Sequence, residues 1–164
     1  MGNARVIAFM PAYAADFARL NYQWIEKYFA IELEDRLALE DPQGYAIKTG
    51  GEIFFVLEGE RAVGTAAMVP FKGATTPGVY ELAKMAVQPE FQGRGYSKLL
   101  MQACLDFARR KDAREIVLIT NDQLAPALGL YHATGFIAMP QNSDGRYARG
   151  NLEMRLNLQT TSSA

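Results

Sequence analysis

The sequence predicts an α/β fold in which strands alternate with helices. Residues 52–57 and 61–69 are strand-like runs joined by the tight turn Glu58-Gly59-Glu60, which is typical of a hairpin. The run 116–119 is continuously apolar and follows a helical pattern, as expected for a buried parallel strand. From its N-terminus the whole chain is predicted to follow the order β–α–α–β–β–β–α–β–α–β–β.

The N-terminal part is predicted to form one edge strand and two helices. Residues 5–9 alternate weakly in hydrophobicity, which favours a strand. Pro11 then precedes a helical pattern that continues to about residue 29, because proline is tolerated in a first helical turn. A second helix is predicted over residues 32–39, since the proline and glycine that follow it would end a helix.

The C-terminal half continues with a strand over residues 79–87 and a helix over residues 96–110. Asp122 can cap a late helix that ends at Gly135. Residues 151–158 alternate and predict a last strand, whereas the polar residues 159–164 are expected to form a flexible tail. Without a visible linker or repeat, residues 1–158 are interpreted as one domain.

Composition excludes several classes of function. Apolar residues make up 49% of the chain and charged residues 21%, which is ordinary for a soluble globular protein. The net charge of -1 gives no electrostatic case for binding nucleic acid or an anionic membrane. No apolar run is long enough to cross a bilayer, and the N-terminus lacks a signal-peptide core, so a cytoplasmic location is expected.

The metal-binding side chains are too few to predict a metal site. Cys104 is the only cysteine, which excludes an internal disulfide and a multi-cysteine zinc site. It lies on the apolar stripe of the 96–110 helix and is expected to be buried. His132 is the only histidine and has no ligand partner nearby in sequence, so no metal is expected.

A glycine-bearing turn between the 79–87 strand and the helix after it predicts a phosphate-binding loop. Backbone N–H groups at a helix N-terminus have no helical partner, and the helix dipole adds positive potential there. Glycine lets an anion approach the backbone closely. The residues expected to contact the phosphate are Gln92, Gly93, Arg94, Gly95, Tyr96, Ser97 and Lys98.

Two common phosphate loops do not fit this turn. The P-loop pattern is absent, and Lys98 stands where the dinucleotide fingerprint needs its third glycine. The remaining pattern, Q-x-x-G-x-S, resembles the acyl-CoA-binding motif R/Q-x-x-G-x-G/A of the GNAT acyltransferase superfamily, with Gln92 and Gly95 matching and Ser97 departing from it. The resemblance extends over residues 79–136, in the order of that family.

The resemblance implies a mixed, mostly antiparallel sheet with helices on both faces and a splayed pair of parallel strands. It also implies an N-acetyltransferase that moves an acetyl group from acetyl-CoA to a primary amine, with a small molecule as the expected acceptor. A protein or peptide amine, and a non-catalytic acyl-CoA-binding module, are the alternatives. The expected partners are the acyl-CoA and the acceptor amine, and the chain could form a homodimer.

The same resemblance assigns residues that hold the coenzyme. In this family the pantetheine arm lies along the strand before the loop and bonds to its backbone, which here means Met85, Ala86 and Val87. The side chains of Met85 and Val87 are equally compatible with a place in the core. Asn121 would contact the arm or orient a water, although a role in starting the next helix is an equal alternative.

Glu81 and Tyr131 are the candidate catalytic residues. Glu81 is a carboxylate inside an apolar strand, so it is expected either to act as general base or to form a salt bridge, for instance with Lys84. Two-residue periodicity predicts that it shares a face with Ala83, Met85 and Val87. Tyr131 matches the late-helix tyrosine that the family uses as general acid, with simple core packing as the alternative.

The aromatic residues of the first helical region have two interpretations. In the GNAT superfamily this region often forms a wall of the acceptor site, where acidic groups would favour a cationic amine. The region holds the aromatic residues Tyr22, Trp24, Tyr28 and Phe29 alongside the acidic residues Glu26, Glu32, Glu34 and Asp35. An aromatic core stripe with solvated charges is the simpler interpretation. The sequence alone therefore names no acceptor.

Overall fold

The computed structural model describes residues 4–121, 124–139 and 152–159. The strands are β1 (Ala4–Ala8), β2 (Glu52–Glu58), β3 (Arg61–Pro70), β4 (Val79–Val87), β5 (Glu115–Thr120), β6 (Ile137–Met139) and β7 (Leu152–Asn157). The helices are α1 (Ala14–Tyr28), α2 (Leu33–Leu39), α3 (Tyr96–Arg110) and α4 (Ala125–Thr134). The predicted order of elements is confirmed. The expected helix cap Asp122 and residues 160–164 of the expected tail lie outside the described residues.

One mixed sheet contains all seven described strands, in the order β1-β2-β3-β4-β5-β7-β6. Every pair is antiparallel except β4 and β5, which run parallel because α3 carries the chain back across the sheet. The predicted mixed, mostly antiparallel fold class with one parallel pair is confirmed.

Helices cover both faces of this sheet. Leu100 and Phe107 of α3 pack with Phe54 on one face, and α4 lies against the same cluster. Phe17 of α1 packs with Phe55 on the opposite face. The neighbours Phe54 and Phe55 point to opposite faces because side chains alternate along a strand. The two faces are called the α3 face and the α1 face below.

A β-bulge interrupts β4 near its middle. Ala83 lies opposite Ala67 of β3 and Ala86 lies opposite Thr65, so two residues of β4 face a single residue of β3. One of those two is Lys84, whose φ of 57° is left-handed and therefore uncommon for a residue other than glycine. The extra residue reverses the alternation of side chains along the rest of the strand.

The bulge corrects one expectation from the sequence. Glu81 pairs with Val69, whose side chain belongs to the α1 face. Met85 and Val87 pack instead into the cluster on the α3 face. The prediction that all three share one face is wrong because strict two-residue periodicity does not survive an inserted residue.

The parallel strands β4 and β5 pair over only three residues. Their shared register begins at Val79 and Glu115 and ends at Glu81 and Val117. Both strands continue beyond that point, β4 to Val87 and β5 to Thr120, without pairing to each other. The two strands stay in the sheet on either side of the gap, because β4 remains bonded to β3 and β5 remains bonded to β7.

A buried ion pair joins the bulge to the α1 face. The Lys84 ammonium donates to Asp35 Oδ1 of α2 over 2.9 Å, and the two side chains are 6% and 0% exposed. The other oxygen, Asp35 Oδ2, accepts the backbone N–H of Glu32 over 2.8 Å and so caps α2. One carboxylate therefore fixes both the start of α2 and the unusual backbone of β4.

The two members of this ion pair should be energetically coupled. Neutralising either one alone should destabilise the protein, and neutralising both should cost less than the sum of the two single changes. Lys84→Met and Asp35→Asn each leave the other charge buried without this partner, and each should lower the free energy of unfolding by about 3–5 kcal/mol. The double variant removes both charges, so its loss should be clearly smaller than the sum. Urea unfolding of the four proteins measures the coupling.

The control for this cycle is the exposed pair Arg5–Glu60, whose side chains are 53% and 89% exposed. Arg5→Met should change stability by less than about 1 kcal/mol, because solvent screens such a pair. Additive losses for Lys84 and Asp35 would contradict the structural role given to their ion pair.

Candidate active site

The gap between β4 and β5 contains a cavity of about 480 Å³. Its lining comes from α1 on one face of the sheet and from α3 and α4 on the other, so the cavity connects the two faces. The predicted site residues that line it are Glu81, Met85, Ala86, Val87, Gln92, Gly93, Gly95, Tyr96, Ser97, Lys98, Asn121 and Tyr131.

The glycine loop at the start of α3 is shaped to accept an anion. Gly93 and Gly95 have φ values of 84° and 82°, in the left-handed region that favours glycine. A Cβ built on either residue meets no atom within 4 Å, so the space beside the loop is open. The amide of Gln92 donates to the Val87 carbonyl over 3.0 Å and ties the loop to the end of β4.

Backbone donors converge on that open space. Gly95 immediately precedes the first residue of α3, so the N–H groups of the first helical turn have no partner within the helix. Together with the helix dipole, these donors favour a phosphate group at this position. Phosphate binding by this loop stays a prediction.

The side chain of Arg94 does not take part in the cavity lining. It forms an ion pair with Glu58 over 3.2 Å and lies over the ring of Phe91, with 4.8 Å to the ring centroid. The hydroxyl of Tyr96 donates to the same Glu58 carboxylate. Arg94 and Lys98 were both expected beside the loop, but only Lys98 lines the cavity.

The end of β4 offers backbone groups to the cavity. Beyond Glu81, the edge of β4 that faces β5 has no strand partner among the described residues. Met85 and Val87 pack their side chains on the α3 face, while Ala86 packs on the α1 face. The expected core packing of the Met85 and Val87 side chains leaves their backbone groups at this edge, and coenzyme binding by those groups stays a prediction.

Glu81 is a buried carboxylate on the wall of the cavity. Glu81 is 3% exposed and lies at the last paired position of β4 and β5, where the gap begins. It belongs to the α1 face, as its partner Val69 does. Lys84, which the sequence offered as an ion-pair partner for Glu81, bonds to Asp35.

Tyr131 lies on the opposite side of the gap, in α4. Its ring packs edge-on against Phe136 with 6.0 Å between ring centroids. Burial, with a smaller contribution from the nearby Cys104 thiol, raises the pKa of Tyr131 to about 12. The phenol is therefore protonated at neutral pH. Cys104 itself is 0% exposed, as expected, and burial raises the pKa of its thiol.

The arrangement separates a candidate proton acceptor from a candidate proton donor. Glu81 reaches the cavity from the α1 face, whereas Tyr131 reaches it from the α3 face. A reacting centre held in the gap would therefore meet a carboxylate on one side and a phenol on the other. This suits a reaction that removes a proton from one group and protonates another.

The C-terminal end of α1 supplies lining residues that the sequence did not assign to the site. The amide of Asn21, which is buried, donates to the Phe17 carbonyl over 3.0 Å. The aromatic residues were visible in the sequence, but helical spacing alone does not distinguish a core stripe from a cavity wall. The residues concerned are Asn21, Trp24, Ile25 and Tyr28 of α1 and Phe29, which follows its last residue.

Other candidate features lie outside the cavity. His132 is exposed on α4. Over residues 4–121, 124–139 and 152–159, no group of three His, Cys, Asp or Glu side chains is placed to hold a metal ion. Over the same ranges, no helix has both the length and the apolar character needed to cross a membrane.

Comparison with known proteins identifies the family. Residues 15–136 match the acetyltransferase (GNAT) family, so the chain belongs to this family. It is 35% identical over 88 residues to human N-acetyltransferase 8B, a match that covers 52% of this chain and 39% of that protein. It is 32% identical over 121 residues to N-acetylaspartate synthetase of Xenopus tropicalis, covering 71% of this chain and 43% of that protein.

These matches span about two fifths of the length of the curated relatives.

Solved structures agree with the fold along nearly the whole chain. An acetyltransferase of the GNAT family from Staphylococcus aureus superposes with a TM-score of 0.84 at 18% identity, covering 96% of this chain and 100% of that one. A GNAT family acetyltransferase from Brucella melitensis, solved in complex with acetyl-CoA, has a TM-score of 0.73 at 20% identity, covering 98% and 91%.

Proposed function

We propose that this protein transfers an acetyl group from acetyl-CoA to a primary amine of a small molecule. The observation that carries the proposal is the cavity between β4 and β5, which meets the glycine loop at one end and has Glu81 and Tyr131 on opposite sides. The proposal treats residues 1–158 as one acetyltransferase domain, in keeping with the family match over residues 15–136.

The glycine loop would bind the pyrophosphate of acetyl-CoA. Backbone N–H groups between Gly93 and Lys98 would donate to the phosphate oxygens, and the Lys98 ammonium would add charge. The pantetheine arm would run along the unpaired edge of β4, where backbone groups from Met85 to Val87 would bond to its amides. Asn121, across the gap at the end of β5, would contact the same arm.

The reaction would proceed by direct attack of the amine on the thioester. Glu81 would accept the proton of the attacking amine, directly or through water, so that a C–N bond forms as the carbonyl electrons move to oxygen. A backbone N–H of β4 would stabilise this oxyanion. When the electrons return, the C–S bond breaks and Tyr131 would protonate the departing CoA thiolate.

A peptide or protein amine is the second candidate acceptor. The chain is 41% identical over 64 residues to the N-alpha-acetyltransferase RimI of Mycobacterium tuberculosis, over 39% of each chain. A small-molecule amine is favoured because the two proposed catalytic groups line a cavity within the sheet and are not on its outer surface. A non-catalytic CoA-binding module would have no need for a protonated phenol and a buried carboxylate on opposite sides of that cavity.

Substitution of Gly95 tests the coenzyme site. Gly95→Val would place a side chain in the open space beside the loop and strain a left-handed residue. The affinity for CoA should therefore fall by about tenfold or more, and each tenfold loss is about 1.4 kcal/mol of binding free energy. Gly50→Val is the matched control, because Gly50 also has a positive φ, of 99°, and open space around it, but lies outside the cavity lining. Calorimetry measures both affinities, and equal affinities would remove the loop from the coenzyme site.

Glu81→Gln tests the proposed base. The amide keeps the shape of the side chain but cannot accept the proton, so turnover should fall about 10²–10⁴-fold while CoA affinity stays similar. The acid limb of the pH–rate profile should disappear, because protonation of Glu81 is what it would report. A variant with the wild-type profile would show that Glu81 is structural.

Tyr131→Phe tests the proposed acid by removing only the hydroxyl. Turnover should fall toward the low end of about 10²–10⁴-fold, because a thiol with a pKa of about 8.5 already leaves readily. Since the pKa of Tyr131 is about 12, its contribution should persist at neutral pH and disappear only as the pH rises through about 12. Steady-state kinetics with saturating acetyl-CoA measures the loss.

The control for Tyr131→Phe is Tyr80→Phe. Tyr80 packs edge-on against Phe107, with 5.5 Å between ring centroids, and lies outside the cavity lining. Its variant should retain turnover. Full turnover by folded Tyr131→Phe protein would exclude the proposed role.

A further inference from the structure

We infer that the acceptor is a monoamine whose amino group is carried on a short linker by an aromatic ring. This inference rests on the proposed function, because it assigns a chemical class to the amine that enters the same cavity. The feature that carries it is a cluster of three aromatic side chains at the C-terminal end of α1, which is called the aromatic wall below and consists of Trp24, Tyr28 and Phe29.

The three rings of the aromatic wall contact one another. Ring centroids are 5.4 Å apart for Trp24 and Tyr28, 5.9 Å for Trp24 and Phe29, and 6.4 Å for Tyr28 and Phe29. All three interplanar angles are tilted, between 43° and 48°. Such offset arrangements suit the quadrupoles of the rings, and the Lys27 ammonium lies over the Tyr28 ring at 5.4 Å from its centroid.

The aromatic wall is not simply the buried stripe of α1. Phe17, Leu20 and Ile25 form that stripe and are at most 2% exposed. Tyr28, in contrast, is 46% exposed, and Trp24 and Phe29 are only half-buried. The wall therefore rests on the core with one side and presents the other to the cavity, where an apolar group would bury its remaining surface.

The aromatic wall and Glu81 are on the same side of the cavity, as an amine attached to an aromatic ring would require. Both lie on the α1 face and both line the cavity. An aromatic group held against the wall would bring an amino group on a short linker toward the Glu81 carboxylate. The ammonium and carboxylate have complementary charge, and the proton that must leave the amine then has an acceptor at hand.

The charges of the described lining favour a single amine without a carboxylate. The lysines in that lining are Lys84, which forms an ion pair with Asp35, and Lys98, which belongs to the glycine loop. The nearby acidic residues Glu26 and Glu32 lie outside the lining, so Glu81 supplies the single carboxylate among the described lining residues. An acceptor with several ammonium groups would find one carboxylate here, and an amino acid would bring its own carboxylate close to Glu81.

The first experiment is a matched panel of acceptors with acetyl-CoA held at saturation and CoA release as the readout. The probes are 2-phenylethylamine, ethylamine, which lacks the ring, phenylalanine, which adds a carboxylate, spermidine, which adds ammonium groups, and a lysine-containing peptide. The value of kcat/KM for 2-phenylethylamine should exceed that of each other probe by about tenfold or more, equivalent to about 1.4 kcal/mol. Equal or better turnover of any other probe would overturn the inference.

The second experiment changes the wall. Tyr28→Ala should lower the ratio of kcat/KM for 2-phenylethylamine over ethylamine by about tenfold, about 1.4 kcal/mol, while CoA affinity stays unchanged. Leu37→Ala is the control, because Leu37 is also an exposed apolar residue, at 60%, and lies on α2 outside the cavity lining. An unchanged ratio in Tyr28→Ala protein would overturn the inference.

The two experiments separate failure of the inference from failure of the proposed function. If ethylamine, spermidine, phenylalanine or the peptide is acetylated best, the protein is an amine acetyltransferase and only the aromatic class is wrong. If CoA binds but no probe is acetylated, the proposed function fails and the inference fails with it.

Discussion

The separation of β4 from β5 after Glu81 is the constraint on which the site depends. A strand inside a sheet normally satisfies its backbone groups on both sides, and a row of unpaired groups in the interior is costly unless another partner takes them. Here β4 stays bonded to β3, β5 stays bonded to β7, and the gap between them becomes the cavity. The same unpaired edge that weakens the sheet is what a pantetheine arm can bond to.

The bulge at Lys84 determines which groups meet in that gap. Without the extra residue, Met85 and Val87 would share the α1 face with Glu81, which its pairing with Val69 holds there. With it, Glu81 faces α1 while the strand beyond the bulge packs against α3. The ion pair with Asp35 holds this backbone conformation and joins β4 to α2.

Local signals in the sequence were sufficient for the order of elements and for the glycine loop, because hydrophobic periodicity and glycine placement act over a few residues. The bulge was not predictable, since it depends on Lys84 meeting Asp35, 49 residues away in sequence. Arg94 was expected beside the phosphate site, yet its partner Glu58 lies 36 residues away. The aromatic residues of α1 were visible, but core and cavity positions have the same helical spacing.

Hydrogen exchange of the backbone amides, with and without saturating CoA, tests the central claim most directly. If the gap and the glycine loop bind the coenzyme, exchange should slow at residues 93–98 and at those residues of 83–87 whose N–H groups face β5, because these N–H groups gain partners. Residues 61–70 of β3, already paired on both sides, should be unchanged. Slowing confined to other segments, with no change along β4 or the loop, would contradict the account.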